Sequence, residues 1–160
     1  MLKDILKILE KDARTSARQI SAITGLSEEE VAKTVKQAEH DQVILKYKAI
    51  VNWDKLENEH VFALIEVKIA PQRDVGFDSI AERIYRFPQT RSVYLISGTY
   101  DLFVLVAGKN NHEVADFVSQ KLSHIEGVTG TVTQFVLKRY KEEGEIVNGD
   151  EPVKRQQVVL

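Results

Sequence analysis

The sequence predicts an α+β chain in two parts: an N-terminal winged helix-turn-helix over residues 1–52 and a C-terminal ferredoxin-like β-α-β-β-α-β domain over residues 60–141. Three observations predict it. Apolar residues in the first forty positions recur at helical spacing, punctuated by serine caps and Gly25. A β-branched and aromatic run, VILKYKAIV, follows at Val43–Val51. From His60 onward the period changes to alternation, and strand-like and helix-like stretches then succeed one another in split order.

Leu2, Ile5, Leu6 and Leu9 place an amphipathic helix over Leu2 to Asp12. Arg14-Thr15-Ser16 breaks it, and Ser16 caps a second short helix with Ala17, Ile20 and Ile23 expected to face inward. Gly25 ends that helix, because a left-handed residue at the exit is easiest for glycine. Ser27-Glu28-Glu29-Glu30 forms a capping box for a third helix, whose buried face continues through Val31, Val35 and Ala38. Two helices joined by a tight glycine turn are the pattern of a helix-turn-helix. The run Val43–Val51 then fits a strand pair, or wing, beside the helices.

Trp53 to Glu59 is polar and serves as a linker. Beyond it, Val61, Ala63, Ile65, Val67 and Ile69 share one face of a strand. A loop is expected over Pro71–Val75, then a helix marked by Phe77, Ile80, Ala81 and Ile84 that ends near Pro88. Strands over Arg91–Ser97 and Asp101–Ala107 flank the turn Gly98-Thr99-Tyr100. A second helix carries Val114, Phe117, Val118, Leu122 and Ile125 and stops at Gly127, before a last strand over Thr131–Arg139. Helices cover one sheet face; the other carries Phe62, Leu64, Tyr94, Ile96, Val132 and Val136, too apolar to face water, so a partner sheet is expected there. Residues 142–160 form a tail, acidic, then basic, then apolar.

Composition excludes several classes. The chain has 160 residues and no cysteine, so disulfides, thiolate metal sites and cysteine nucleophiles are ruled out. No apolar run approaches the roughly 20 residues needed to span a bilayer, and no signal-peptide pattern opens the chain, so a soluble cytoplasmic protein without a membrane partner is expected. The net charge of −2 argues against a general nucleic-acid binder. Residues 1–52 nevertheless carry 9 Lys/Arg against 8 Asp/Glu, which permits a DNA-binding half. His40, His60, His112 and His124 share no metal-ligand spacing, and no nucleophile elbow, Walker loop or dinucleotide fingerprint occurs. No enzyme chemistry, metal or cofactor is expected.

The segments ILKILEKDARTSARQISAITGLSEEEV and VILKYKAIVN, followed by SGTYDLFVLVAG and IEGVTGTVTQFVLK, resemble the leucine-responsive regulatory protein/AsnC, or feast/famine, family of transcription regulators. The resemblance covers nearly all of residues 2–141, and its specificity lies in the order and spacing of the segments. It implies a third helix in the major groove of double-stranded DNA. It also implies a C-terminal domain of the RAM type that pairs into homodimers, often assembled further into tetramers or octamers. A free amino acid or similar effector would bind near the turn after the second strand.

On the third helix, Lys33 suits guanine or phosphate, Gln37 suits adenine and Thr34 suits a thymine methyl, with Lys36 nearby. Ser27 at the helix start, Arg18 on the second helix, and Lys46 and Lys48 on the wing complete the expected DNA-contacting set. The chain departs from the family's usual arginine-rich third helix, carrying Thr34, Gln37 and three glutamates there, so modest affinity per subunit is expected. For the effector, Gly98 lets backbone approach a ligand, the N–H groups of the turn suit a carboxylate, Asp101 suits an ammonium and Tyr100 walls the side chain. Thr99 belongs to the same turn. Thr133, and more weakly Thr131, are added from the resemblance alone. Two alternatives share the fold: an architectural DNA-compacting protein, and a haem-pathway decarboxylase-like enzyme, whose arginine-rich wing is absent here.

Overall fold

The computed structural model describes residues 1–56, 60–70 and 76–147. The chain divides into two compact units, Met1–Val51 and Asn52–Leu160. The expected loop at Pro71–Val75, the last three linker positions and the tail beyond residue 147 lie outside the described residues.

In the first unit, α1 (Leu2–Lys11), α2 (Ala17–Thr24) and α3 (Glu28–His40) pack around Ile5, Leu9, Ile20 and Val31. Each of the last two helices starts on a serine. The Ser16 hydroxyl accepts from the Gln19 N–H at 3.3 Å, and the Ser27 hydroxyl accepts from the Glu30 N–H at 3.2 Å. In both, the third helical residue reaches back to the cap's own N–H, closing a capping box that satisfies two otherwise orphaned donors. Gly25 sits at φ +76°, the left-handed conformation that turns α2 into α3.

Two expectations for this unit are corrected. Ile23 is exposed rather than inward, because so small a core covers only the stripe of α2 centred on Ile20. The wing does not form a strand pair: residues 43–51 hold no strand, and Leu45 is 85% exposed. The physical reason is in the sequence. A hairpin needs residues that tolerate a reversal, and Val43–Val51 contains no Gly, Asn, Asp or Pro. What ties the segment down is local: the Val43 and Ile44 N–H groups donate to the Ala38 carbonyl, Ile44 packs on the core, and Tyr47 donates to Glu39 at 2.9 Å. Burial, and then the Glu39 carboxylate beside it, push the Tyr47 hydroxyl above its ordinary pKa.

In the second unit, β1 (Val61–Ile69), α4 (Phe77–Tyr85), β2 (Thr90–Leu95), β3 (Leu102–Gly108), α5 (Asn111–Gln120) and β4 (Val128–Phe135) give the expected β-α-β-β-α-β order. The four strands form an antiparallel sheet in the order β2-β3-β1-β4. Ala63, Ile65, Val67 and Ile69 of β1 and Leu102, Val104 and Val106 of β3 face Ile80 and Ile84 of α4 and Val114 and Phe117 of α5. Gly127, at φ +95°, ends the second helical stretch where a Cβ would stand 2.7 Å from Ile80 Cδ1, so this turn is closed to other residues. α5 is shorter than expected, and a 3₁₀ turn (Leu122–His124) places Leu122 and Ile125 in the core. A final hairpin pairs β5 (Lys141–Glu142) with β6 (Glu145–Ile146).

The opposite sheet face is open. Directly paired residues of an antiparallel sheet share a face. Leu64 pairs with Leu105, Glu66 with Phe103 and Val132, and Tyr94 with Phe103. These residues and Phe62 form a patch that no described helix of the unit covers, with Tyr94 56% and Val132 37% exposed. Ile96 and Val136 lie just past the ends of β2 and β4.

Candidate functional site

Two sets of polar residues stand apart from the cores. The first is the outer face of α3. Burial of Val31 and Ala38, with Val35 and Thr34 half-covered, fixes the helix's rotation, so Glu29, Lys33, Lys36 and His40 point away from the core. Lys33 and Lys36 make no hydrogen bond or ion pair with another described residue. Arg18 on α2 is exposed in the same state. These three cations are available to phosphate or base edges.

The other expected DNA-contacting residues are placed differently. The Ser27 hydroxyl is committed to the α3 cap, donating to Glu30 Oε2 at 2.7 Å. The Thr34 hydroxyl donates back to the Glu30 carbonyl at 2.7 Å, and the Gln37 amide donates to Asp41 Oδ1 at 2.9 Å. Thr34 and Gln37, together with Lys33, line a cleft of about 440 Å³ beside Leu2 and Val43. Lys46 and Lys48 are exposed on the segment without strands. Of the three glutamates that would oppose phosphates, Glu30 is turned back into the capping box. The Ser27 backbone N–H and then its hydroxyl hold the Glu30 carboxyl below its ordinary pKa.

The second set is the turn between β2 and β3. Gly98 has φ +136° and no atom within 4 Å of where a Cβ would sit. The main-chain N–H groups of Ser97, Gly98, Thr99 and Tyr100 donate to no other described residue. Asp101 is engaged with β1 instead. Its N–H donates to the Val67 carbonyl at 3.0 Å, and its Oδ2 accepts from the Ile69 N–H at 2.8 Å. Lys68 lies between them in sequence, and its Nζ donates to the Thr99 carbonyl at 2.7 Å and stands 3.4 Å from Asp101 Oδ2.

Sequence reasoning missed Lys68. A lysine on the outward side of an alternating strand looks like a solvated residue, and its partner Thr99 is 31 positions away in the chain. The structure does not bring Thr133 to the turn. Thr133 pairs with Ile65 on β4, whereas Thr131 pairs with Val67, level with Asp101.

Known proteins share the two units in this order. Residues 62–146 match the family model of the Lrp/AsnC ligand binding domain, and residues 3–39 match the AsnC-type helix-turn-helix domain. The chain is 42% identical over 153 residues to a Bacillus subtilis protein named "Uncharacterized HTH-type transcriptional regulator YugG", covering 95% of this chain and 92% of that one. It is 37% identical to the HTH-type transcriptional regulator FL11 of Pyrococcus furiosus, covering 90% and 92%. Among solved structures, the transcriptional regulator NMB0573/L-Met complex from Neisseria meningitidis is similar in fold, with a TM-score of 0.70 at 23% identity over 88% of this chain and 90% of that one. The feast or famine regulatory protein of M. tuberculosis complexed with L-methionine has a TM-score of 0.71 at 18% identity, covering 91% and 96%.

Proposed function

The chain belongs to the Lrp/AsnC family of transcription regulators, and from that premise we propose that it is a sequence-specific DNA-binding regulator whose assembly and DNA binding respond to an amino-acid-sized carboxylate. Family membership supplies the coarse statement: a helix-turn-helix head and a Lrp/AsnC ligand-binding domain in one chain. The observation that carries the finer one is the outer face of α3, where Lys33 and Lys36 are uncommitted while neighbouring polar side chains are tied into the helix itself.

Lys33, Lys36 and Arg18 contact DNA directly in this reading. Ser27, Thr34 and Gln37 act mainly by fixing α3, and Lys46 and Lys48 add charge from the flanking segment. The effector occupies the turn Gly98-Thr99-Tyr100-Asp101, and Thr133, on β4, would join it only from across a contact between subunits. The complexes of two structural neighbours with L-methionine support the size class of the effector. The open face around Phe62, Leu64, Phe103, Leu105 and Tyr94 supports a homodimer built sheet to sheet, within a larger assembly in the cytoplasm. Regulation is then a population shift: the effector must bind one assembly more tightly than another, or it changes nothing.

The test is a gel-shift titration on an operator selected from random duplexes. The wild-type chain prefers that operator over random DNA by at least about 10³-fold, and a compacting protein shows little preference. Lys33→Ala weakens binding and flattens the salt dependence by a slope of about 0.9 for each phosphate no longer neutralised. Unchanged affinity in Lys33→Ala overturns the docking of α3.

A further inference from the structure

We infer that α1 carries a second phosphate-binding surface, formed by Lys3, Lys7 and Lys11, which holds the backbone of a second DNA duplex segment while α3 occupies the first. The inference adds a surface that the proposed docking of α3 leaves facing solvent.

Residues four apart on a helix form one stripe, stepping about 6 Å along the axis. Lys3, Lys7 and Lys11 form such a stripe along the whole of α1. It is centred opposite Ile5 and Leu9, the buried residues of that helix. All three lysines are exposed, and none makes a hydrogen bond or ion pair with another described residue.

An ordinary solvated helix face sets opposite charges three or four positions apart. This stripe does the reverse. Lys3 with Lys7 and Lys7 with Lys11 are like-charge pairs at the spacing where repulsion destabilises a helix. The two carboxylates of α1 relieve it little. Asp4 bonds to the N-terminal ammonium at 2.9 Å and feels Lys7 only beyond ion-pair distance. Glu10 lies to one side of the stripe and makes no ion pair with a described residue. An external polyanion lying along the stripe offsets this repulsion.

Charge separates the two helices. α1 holds three lysines against two carboxylates, whereas α3 holds Lys33 and Lys36 against Glu28, Glu29, Glu30 and Glu39. Long-range attraction to DNA therefore comes from α1 more than from the helix proposed to read it. The two surfaces do not face one groove. α1 turns Ile5 and Leu9, and α3 turns Val31, to the same small core, so their outer faces look to different sides of the unit. Lysine ammoniums are point charges that suit phosphate and carry no base readout by that contact. Three of them in a row match a regularly repeating polyanion, whereas a single small anion needs them convergent.

The experiment is fluorescence anisotropy on the full-length chain over a range of salt concentrations. The probe is a labelled random-sequence duplex, added alone or after unlabelled selected operator has been brought to the equivalence point of its own titration. The variants are Lys3→Gln/Lys7→Gln/Lys11→Gln, the matching triple arginine variant, and Lys33→Ala/Lys36→Ala. Wild type filled with operator is expected still to bind the random duplex. The triple glutamine variant loses that binding, and its plot of log K against log salt flattens by up to about 2.7, about 0.9 for each phosphate no longer neutralised. The triple arginine variant retains it. Lys33→Ala/Lys36→Ala weakens operator binding and keeps the random duplex. Glutamine matches lysine in helix propensity and removes both like-charge pairs, so an undiminished melting temperature separates lost charge from lost fold. If operator at equivalence excludes the random duplex from wild type, or the triple glutamine variant binds it with an unchanged salt slope, the inference is overturned while the docking of α3 stands. If that variant loses operator and random duplex in equal measure, α1 lies along the same duplex as α3 and the second segment is overturned. If no operator is preferred over random DNA, the proposed function falls, and the salt slope of the triple glutamine variant alone decides the surface on α1.

Discussion

In the helical unit, the polar side chains of α2 and α3 bond chiefly to residues three or four positions away; in the sheet unit, local bonds of that kind, such as Arg86 to Glu82 and the Glu113 N–H to Asn110, are joined by bonds between residues far apart in the chain. Ser16 with Gln19, Ser27 with Glu30, Thr34 with the Glu30 carbonyl and Gln37 with Asp41 all close within one helix. In the sheet unit, Asp101 bonds to Ile69 at a separation of 32 residues, Arg139 to Asp54 at 85 and the Asn52 amide to the Val147 carbonyl at 95. The first kind of order can form before a core exists. The second exists only when the strands have paired. The outer face of α3 is thus fixed by local interactions, while the turn between β2 and β3 is tied to the pairing of the strands.

The largest effect that could break this contrast lies in the sheet core. Ile65 is fully buried on β1, between Val104 of β3 and Thr133 of β4. Ile65→Ala should lower stability by about 2–5 kcal/mol in urea denaturation. A loss below about 1 kcal/mol would mean the sheet closes around the gap and tolerates rearrangement, leaving the turn uncoupled from the core.

The next effect sets the two kinds of polar bond against each other. Asp101→Ala removes the acceptor for the Ile69 N–H and for Lys68, leaving a partly covered N–H without a partner, at about 1–3 kcal/mol. Ser27→Ala removes an N-cap, at about 1 kcal/mol, with loss confined to helical signal at the start of α3. Measured by the same urea titrations, Asp101→Ala should cost more. The reverse order would show that the turn is held by the backbone ladder alone and that its side chain is dispensable.

The same contrast explains what was legible in the sequence. The caps at Ser16 and Ser27, the left-handed exit at Gly25 and the alternation of β1 are local signals, and each appears where the sequence places it. The wing departs from expectation because composition and pairing are different things. β-branched residues favour a strand, but a pair also needs a reversal, and Val43–Val51 has no residue that supplies one. At the turn between β2 and β3, Gly98 and Asp101 were legible as residue types, but Asp101's partner was not. Whether a carboxylate is free or spent depends on which strand end lies beside it, and that follows from the β1–β3 register. Lys68 was invisible for the same reason.

The smallest effect is a pH dependence in the head. Glu30 accepts from the Ser27 N–H at 2.9 Å and from the Ser27 hydroxyl at 2.7 Å, and these bonds lower its pKa from the ordinary 4.5. A carboxyl whose folded pKa is depressed contributes stability that is fully present above the unfolded value and is lost as pH falls through the folded one. Glu30→Gln retains an oxygen acceptor but not the charge, so the gap between wild type and Glu30→Gln isolates the ionised cap. That gap should be constant at neutral pH, begin to narrow near 4.5 and close below the folded value. Asp4 is also held below its ordinary pKa, chiefly by its bond to the N-terminal ammonium. It is common to both proteins and cancels in the difference. A gap that persists unchanged into acid would show that Gln and Glu cap α3 equally and that the head's local order owes nothing to charge.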